Sequence, residues 1–414
     1  MNFVMNADIT LVTFIGTGSY VKKPDGSNDG YQTTVYRLPD GKITDQVNYL
    51  GNALYKCLKP KKFVLIGTNG SAWAYLFNQF ENLLDLDPDL YEYFDDVIAT
   101  GQNRDKSIKK KVDVEHLQSL EDLLNKEYGD DCEFVLRMIN DLTEEADQIE
   151  IFNTMSKCIN PKERIILDIT HGFRYMPFFA FIAFEFLHLA KEVEIAKVFY
   201  GTYDRDRKIN DVINLSYILD LFNWSVAFSK YDCSKDLSNF IDVMAKIKDI
   251  DPKKIDAMER FAFLERTIKI PQASKFMHEV NSIQSTDPVY SVISEELKQR
   301  ISWSRKEYSY QQLGELAWLY LRSKDYVRSV ICAYESLRNR WAYENNEVLS
   351  EDNDQHFKDQ YTKDFNLNFT KLRWVRNCIA HGTEANPKVK CYLQSEEKLE
   401  NFLKDDYKQL GIKE

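Results

Sequence analysis

Arg376, Asn377 and His381 place a guanidinium, a carboxamide and an imidazole within the six residues Arg376-Asn377-Cys378-Ile379-Ala380-His381, with Gly382 next. On a helix, this offset leaves Arg376 and His381 roughly 140° apart around the axis. A helix ending at a Gly382 C-cap sets the imidazole at the terminus, near solvent. A cation that grips phosphate and a ring that titrates near neutrality are parts of a phosphoryl-transfer site. Taken alone, the same residues also describe a surface arginine and a terminal histidine complementing a helix dipole.

A second constellation is Asp168-Ile169-Thr170-His171-Gly172, with Arg174 two residues on. Thr170 and His171 carry hydrogen-bond donors, and Gly172 lets the backbone turn. Arg174, opening the next helix, can counter a phosphate with help from the helix N-terminus. The competing account is a capped turn in which Asp168 or Thr170 holds backbone N–H groups and His171 is structural. Comparable loops are Gly16-Thr17-Gly18-Ser19, Gly67-Thr68-Asn69-Gly70-Ser71 and residues 100–104. Their glycines and hydroxyls let backbone N–H groups approach an anion. None completes G-x-G-x-x-G, so a nicotinamide cofactor is not indicated.

These loops need strands to carry them. Short β-branched or apolar runs at 9–15, 63–66, 96–99, 133–138 and 164–169 predict buried parallel strands. Residues 194–200 and 211–215 predict two final strands joined by the charged hairpin 204–207, whose Arg205 and Arg207 alternate with aspartates. Residues 31–38 predict an excursion strand. Helices are expected at 44–58, 72–84 (capped by Ser71), 114–127, 144–158 and 177–190. The alternation implies a mainly parallel sheet covered on both faces, a Rossmann-like layout whose ligands sit beyond the strand C-termini.

After about residue 218 the pattern is helical. Short helices are expected over 220–299. Helices follow at 311–322 and 326–343, a tetratricopeptide-like hairpin without neighbouring repeats. Residues 345–366 are polar and predict a long loop. Residues 369–380 carry the Arg/His motif, and 396–410 form a last amphipathic helix. The resulting division is an α/β Rossmann-like domain over 1–217, a helical linker or insert over 218–299 and an all-α domain over 300–414.

The formal net charge is −11, so nucleic acid would be engaged through a local basic site rather than the overall field. The basic loop from Arg104 to Lys111 could face an anionic ligand, and a solvated lysine loop is the favoured account. Seven scattered cysteines contain no C-x-x-C pair, which fits reduced thiols in the cytoplasm and shows no zinc site. No secretory signal and no membrane span are read in the sequence; the apolar run 177–190 is too short to cross a bilayer.

Asp168-Ile169-Thr170-His171-Gly172 resembles the D-x-T-H-G signature of CRISPR-associated proteins with a Rossmann-like CARF sensor domain. Arg376-Asn377 and His381 resemble the R-x(4–6)-H motif of HEPN ribonucleases. Their order resembles that of the type III CRISPR ancillary CARF–HEPN ribonucleases, with 218–299 the least matched segment. The resemblance implies a homodimer or higher homo-oligomer that binds cyclic oligoadenylate, the four-adenylate ring most often. Gly16, Thr17, Gly18, Ser19, Gly67, Thr68, Asn69, Gly70, Ser71, Thr170, His171, Gly172 and Arg174 would line that site. Activation would let the HEPN domains cleave single-stranded RNA without metal or cofactor: the ribose 2′-OH attacks the adjacent phosphorus, Arg376 holds the phosphate, His381 moves a proton and Asn377 orients a partner. One motif supplies one imidazole, so the resemblance and the chemistry together predict a composite site in a two-fold dimer. Two other outcomes are a non-catalytic CARF-type scaffold, and a nucleotide hydrolase that uses His171.

Overall fold

The computed structural model describes residues 8–17, 20–22, 28–77, 80, 86–102, 110–140, 144–172, 175–204, 206–382 and 386–413. The chain divides into two compact units, Met1–Leu219 and Asp220–Glu414.

The first unit holds β1 (Thr10–Ile15), β2 (Tyr20–Lys22), β3 (Asn28–Tyr31), β4 (Val35–Arg37), β5 (Lys62–Gly67), β6 (Glu133–Met138), β7 (Arg164–Asp168), β8 (Glu194–Gly201) and β9 (Ile209–Asn214). Its helices are α1 (Leu50–Leu58), α2 (Trp73–Phe77), α3 (Pro88–Gln102), α4 (Val114–Tyr128), α5 (Glu145–Cys158) and α6 (Met176–Lys191). The main sheet runs β4-β9-β8-β7-β1-β5-β6. Strands β8, β7, β1, β5 and β6 are mutually parallel, and β9 runs antiparallel to β8. Counted along the chain, the parallel strands lie in the order 3-2-1-4-5, which is the Rossmann order, with the reversal between β1 and β7.

The alternation of β1 explains its burial. Leu11 and Ile15 enter one core with Phe63, Leu65 and Phe134, beneath α1 to α4. Val12 and Phe14 enter the other with Val64, Ile66 and Val135, beneath α5 and α6. A strand covered on both faces reads as a continuous apolar run.

Four expectations are corrected. Residues 96–99 are helical, inside α3: Leu90, Phe94 and Val97 bury at i, i+4 and i+7, and Asp87 accepts the Leu90 N–H at 2.9 Å. The segment 100–104 therefore does not end a strand. Helix α1 begins at Leu50 rather than at 44, because Ile43 and Val47 bridge antiparallel to Arg37 and Thr34. The stretch 31–38 splits, β3 pairing with β2 while β4 joins the main sheet beside β9. Helix α2 is described over Trp73–Phe77, residue 80 is not helical and the rest of 78–85 lies outside the described residues; the Ser71 hydroxyl donates to Ile15 O.

The second unit contains the longer helices α7 (Tyr217–Ser234), α8 (Pro252–Arg266), α9 (Pro288–Arg300), α10 (Ser309–Arg322), α11 (Tyr326–Glu344), α12 (Glu351–His381) and α13 (Glu396–Gln409), separated by short helical turns. One apolar core runs through it from Trp224 to Ile412. The loop expected over 345–366 is instead helical from Glu351. Ser350 and Asn353 form a capping box, Lys358 pairs with Asp354 at 2.5 Å, and Phe357 and Tyr361 are buried. Only a narrow apolar stripe is buried here, so the polar majority hid the helix. The rings of Phe357 and Phe369 lie 5.4 Å apart. Twelve residues of straight helix would rise about 18 Å. Helix α12, continuous over Glu351–His381, is therefore bent between Phe357 and Phe369, and the rings on both sides of the bend contact Tyr334 of α11. No helix among the described residues is long and apolar enough to cross a membrane.

The helical core contains two buried carboxyls. Burial pushes Glu265 up to about 8 and Asp406 up to about 7. The folded chain thus keeps protons that the unfolded chain releases above the ordinary carboxylate range. This contribution to stability is complete below about pH 4 and is lost as pH rises through 7 to 8. Urea unfolding followed from pH 5 to pH 9 is expected to show a falling midpoint. Glu265→Gln should remove on the order of 3 kcal/mol of that pH dependence. A midpoint that rises over this range would contradict the protonated carboxyl.

Candidate ligand cleft and RNA-cleavage site

The reversal between β1 and β7 opens a cleft at the strand C-termini, as Rossmann topology requires. Gly16, Thr17, Gly67, Thr68, Ser71 and Gly172 line it, with Phe14, Ile15, Ile66, Ile139 and Met176, and it encloses a cavity of ≈ 40 Å³. Gly172 has φ +103°, a conformation that L side chains rarely adopt, and a Cβ on Gly16 would lie 3.2 Å from Gly172 N. The two loops touch through backbone. Asn69 and Gly70 fall elsewhere, in a smaller pocket with Tyr75, Lys110 and Val112. Gly18, Ser19 and Arg174 lie outside the described residues, as do Arg205 and most of the basic loop at 104–109.

Several polar groups of these loops bond within the fold and hold the loops in shape. Asp168 is fully buried at the end of β7, opposite Thr13 of β1. Its carboxylate accepts the Thr13 hydroxyl at 2.7 Å, the Thr170 N–H at 3.0 Å and the Thr170 hydroxyl at 2.5 Å. Thr170 Oγ1 in turn accepts the Gly201 N–H at 2.7 Å. Burial raises the pKa of Asp168, against the pull of His171 and these donors. Ser71 Oγ accepts the Thr68 N–H at 2.9 Å and donates to Ile15 O at 2.7 Å.

His171 Nε2 accepts the backbone N–H of Leu50, the first residue of α1, at 3.1 Å. A nitrogen that accepts carries no proton, so the ring is neutral with its proton on Nδ1. Burial lowers the pKa of His171, with Asp168 opposing. The imidazole caps a helix whose own N-cap, Tyr49, makes no side-chain cap bond. Use of His171 as a hydrolytic base would require the lone pair that Leu50 occupies.

Helix α12 presents the second candidate site. His381 is its last residue and is exposed; Gly382 follows as a left-handed C-cap with φ 62°. This is the arrangement expected from the spacing. Arg376 is half-buried. Its Nη1 donates to Asn377 Oδ1 at 2.8 Å, and its guanidinium carbon lies 4.8 Å from the centroid of the Tyr334 ring. Asn377 therefore orients Arg376 itself. Arg376 Nε is buried and has no acceptor among the described residues. Beside Tyr334, burial raises the pKa of Glu335, while Arg338 and Arg376 pull it down. Arg338 also lies 3.6 Å from Glu335 and 3.3 Å from Asp354.

Sequence reasoning missed Tyr334 and Glu335. They sit in the hairpin helix α11, forty-odd residues before Arg376, and nothing local marks them. A Tyr-Glu pair closing an otherwise apolar helical run was the available signal.

Residues 10–204 match the family model described as CRISPR system endoribonuclease Csx1, CARF domain. CRISPR-associated protein MJ1674 of Methanocaldococcus jannaschii is 25% identical over 205 residues, which are 47% of this chain and 32% of that protein. The chain thus spans about a third of the length of that curated relative. With its Rossmann strand order and its cleft at the β1/β7 reversal, the α/β unit is similar to the CARF domain of CRISPR-system endoribonucleases.

Proposed function

We propose that this protein is a cyclic oligoadenylate-activated, metal-independent endoribonuclease of CRISPR antiviral defence. The observation that carries the proposal is the coexistence in one chain of a CARF-like unit and a helical unit whose helix α12 holds Arg376 by Asn377 and Tyr334 and ends on the exposed His381. The cleft at Gly16, Gly67 and Gly172 receives the messenger, the four-adenylate ring. In the helical unit Arg376 binds the scissile phosphate and stabilises its developing charge. The 2′-OH attacks phosphorus, and His381 protonates the leaving 5′-oxygen, giving a 2′,3′-cyclic phosphate. A second copy supplies the second imidazole.

An exposed apolar stripe supports the dimer. Phe178, Ile182, Phe186 and Leu189 recur along one face of α6 and are all at least half exposed. Phe152 of α5 packs on Phe186 at 5.4 Å, and Ile149 of the same helix is also exposed. A stripe of this length is the mark of an interface. Phe178→Glu/Phe186→Glu is expected to shift the mass in light scattering from dimer to monomer and to abolish cleavage. A double variant that remains dimeric would place the interface elsewhere.

The primary test is cleavage of a labelled single-stranded RNA with and without cyclic tetra-adenylate. Cleavage only with messenger, ending in 2′,3′-cyclic phosphates, is the expected outcome. No cleavage with cyclic tetra- or hexa-adenylate, at concentrations where the dimer forms, would leave a binding scaffold.

A further inference from the structure

We infer that Tyr334 is a positioning residue for Arg376, fixing the plane in which the guanidinium meets the phosphodiester; the inference rests on the nuclease assignment above. The Tyr334 ring is 4% exposed and is held on two sides. It stacks on Phe369 (6.0 Å between centroids, 16° between planes) and meets Phe357 edge-on at 5.7 Å. Phe369 and Arg376 lie seven residues apart on one arm of α12, hence on one face and about 10.5 Å apart along the axis. That gap has room for one aromatic ring, and Tyr334 fills it, with Phe369 on one side and the guanidinium 4.8 Å away on the other.

The result is an arginine restrained from two directions. The Tyr334 face attracts the cation through its quadrupole, and Asn377 Oδ1 takes one Nη1 proton. A long, rotamer-rich side chain becomes a planar fork of fixed orientation. Such a fork discriminates because arginine grips phosphate through two parallel N–H bonds, which only a correctly turned plane can make. The buried Nε–H, with no acceptor among the described residues, is a donor left unmet in the single chain. Unmet buried donors are rare in folded proteins, and this one calls for an acceptor from outside the single chain.

The test measures single-turnover cleavage of a labelled single-stranded RNA with cyclic tetra-adenylate, over a range of RNA concentrations. Wild type, Tyr334→Phe, Tyr334→Leu, Arg376→Lys, Arg376→Ala and Tyr334→Leu/Arg376→Lys are compared, with thermal melting of each. Tyr334→Leu, which keeps the core apolar but removes the π face, is expected to lower the rate at saturating RNA about ten-fold. Half-saturation should move little, and Tyr334→Phe should restore the rate to within two-fold. In the Arg376→Lys background, where no planar fork remains, Tyr334→Leu should have no further effect. Three results would overturn the role: an unchanged rate in a Tyr334→Leu protein of native melting temperature, an equal ten-fold loss in the lysine background, or a ten-fold loss in Tyr334→Phe, which still presents the ring. The last applies even if the leucine variant fails to fold. If Arg376→Ala cleaves as fast as wild type, the nuclease assignment itself fails, and Tyr334 falls with it; a dead Arg376→Ala beside a fully active Tyr334→Leu refutes only the role of Tyr334.

Discussion

His381→Ala is expected to abolish messenger-dependent RNA cleavage, lowering the rate by about 10²–10⁴-fold while the chain still binds cyclic tetra-adenylate. The substitution is structurally mild, because the side chain is exposed at the last position of α12 and Gly382 terminates the helix without it. Melting should therefore be unchanged. Mixed dimers of wild-type and His381→Ala chains add a sharper test. If the site is composite, their activity should fall below the average of the two homodimers; activity equal to that average would mean that each chain cleaves alone. His171→Ala serves as the contrast. It removes the acceptor for the Leu50 N–H and should loosen the start of α1, costing roughly 1 kcal/mol of stability. Messenger response should then weaken while chemistry at the RNA is retained. A His171→Ala protein that binds messenger normally but has lost all chemistry would reinstate the hydrolase reading.

Asp168→Ala is expected to be the most destabilising single change in the α/β unit. It strands the fully buried Thr13 hydroxyl and takes the acceptor from the half-buried Thr170 N–H and hydroxyl. Losing a shared acceptor for several donors should destabilise by about 3 kcal/mol or more. Because Thr170 also ties β7 to Gly201 of β8, the defect should spread to both strands beside the cleft. Hydrogen exchange at Thr13, Thr170 and Gly201 should accelerate together in the variant. Exchange that speeds only at Thr170 would show that the acceptor is not shared. A compensating double change, Thr13→Val with Asp168→Ala, should recover part of the loss, since one unmet donor is removed along with the carboxylate.

Legibility followed locality. The run of β1, the β7 segment ending at Asp168 and the C-cap at Gly382 are dictated by residues within a few positions of one another, and the sequence displays them directly. The segment 96–99 misled because Val97, Ile98 and Ala99 match a short strand, while the anchors that make it helical, Leu90 and Phe94, lie a turn or more upstream. Helix α12 was hidden by its polar majority, and its bend depends on rings twelve residues apart meeting beside α11. The candidate sites divide in the same way. Arg376, Asn377 and His381 form one local word, whereas Tyr334 reaches Arg376 only after two helices pack. At the cleft, Gly16 and Gly172 let two loops meet through backbone, a contact their residue type signals. The hydroxyls and His171 did not reveal that their partners would be Ile15, Gly201 and Leu50, because those are backbone groups and carry no side-chain signature.

The closed network around Asp168, Thr170 and His171 has a thermodynamic consequence. A loop whose Asp168 and Thr170 side chains already bond within the fold, and whose His171 Nε2 already accepts the Leu50 N–H, is held in shape before any ligand arrives. Association then surrenders little loop entropy, and affinity depends on how well a ligand's outline matches a rigid mould. Under the messenger assignment proposed above, such a site would distinguish guests by their dimensions, and a ring one nucleotide larger would be disfavoured by its circumference even though every base it carries is the same.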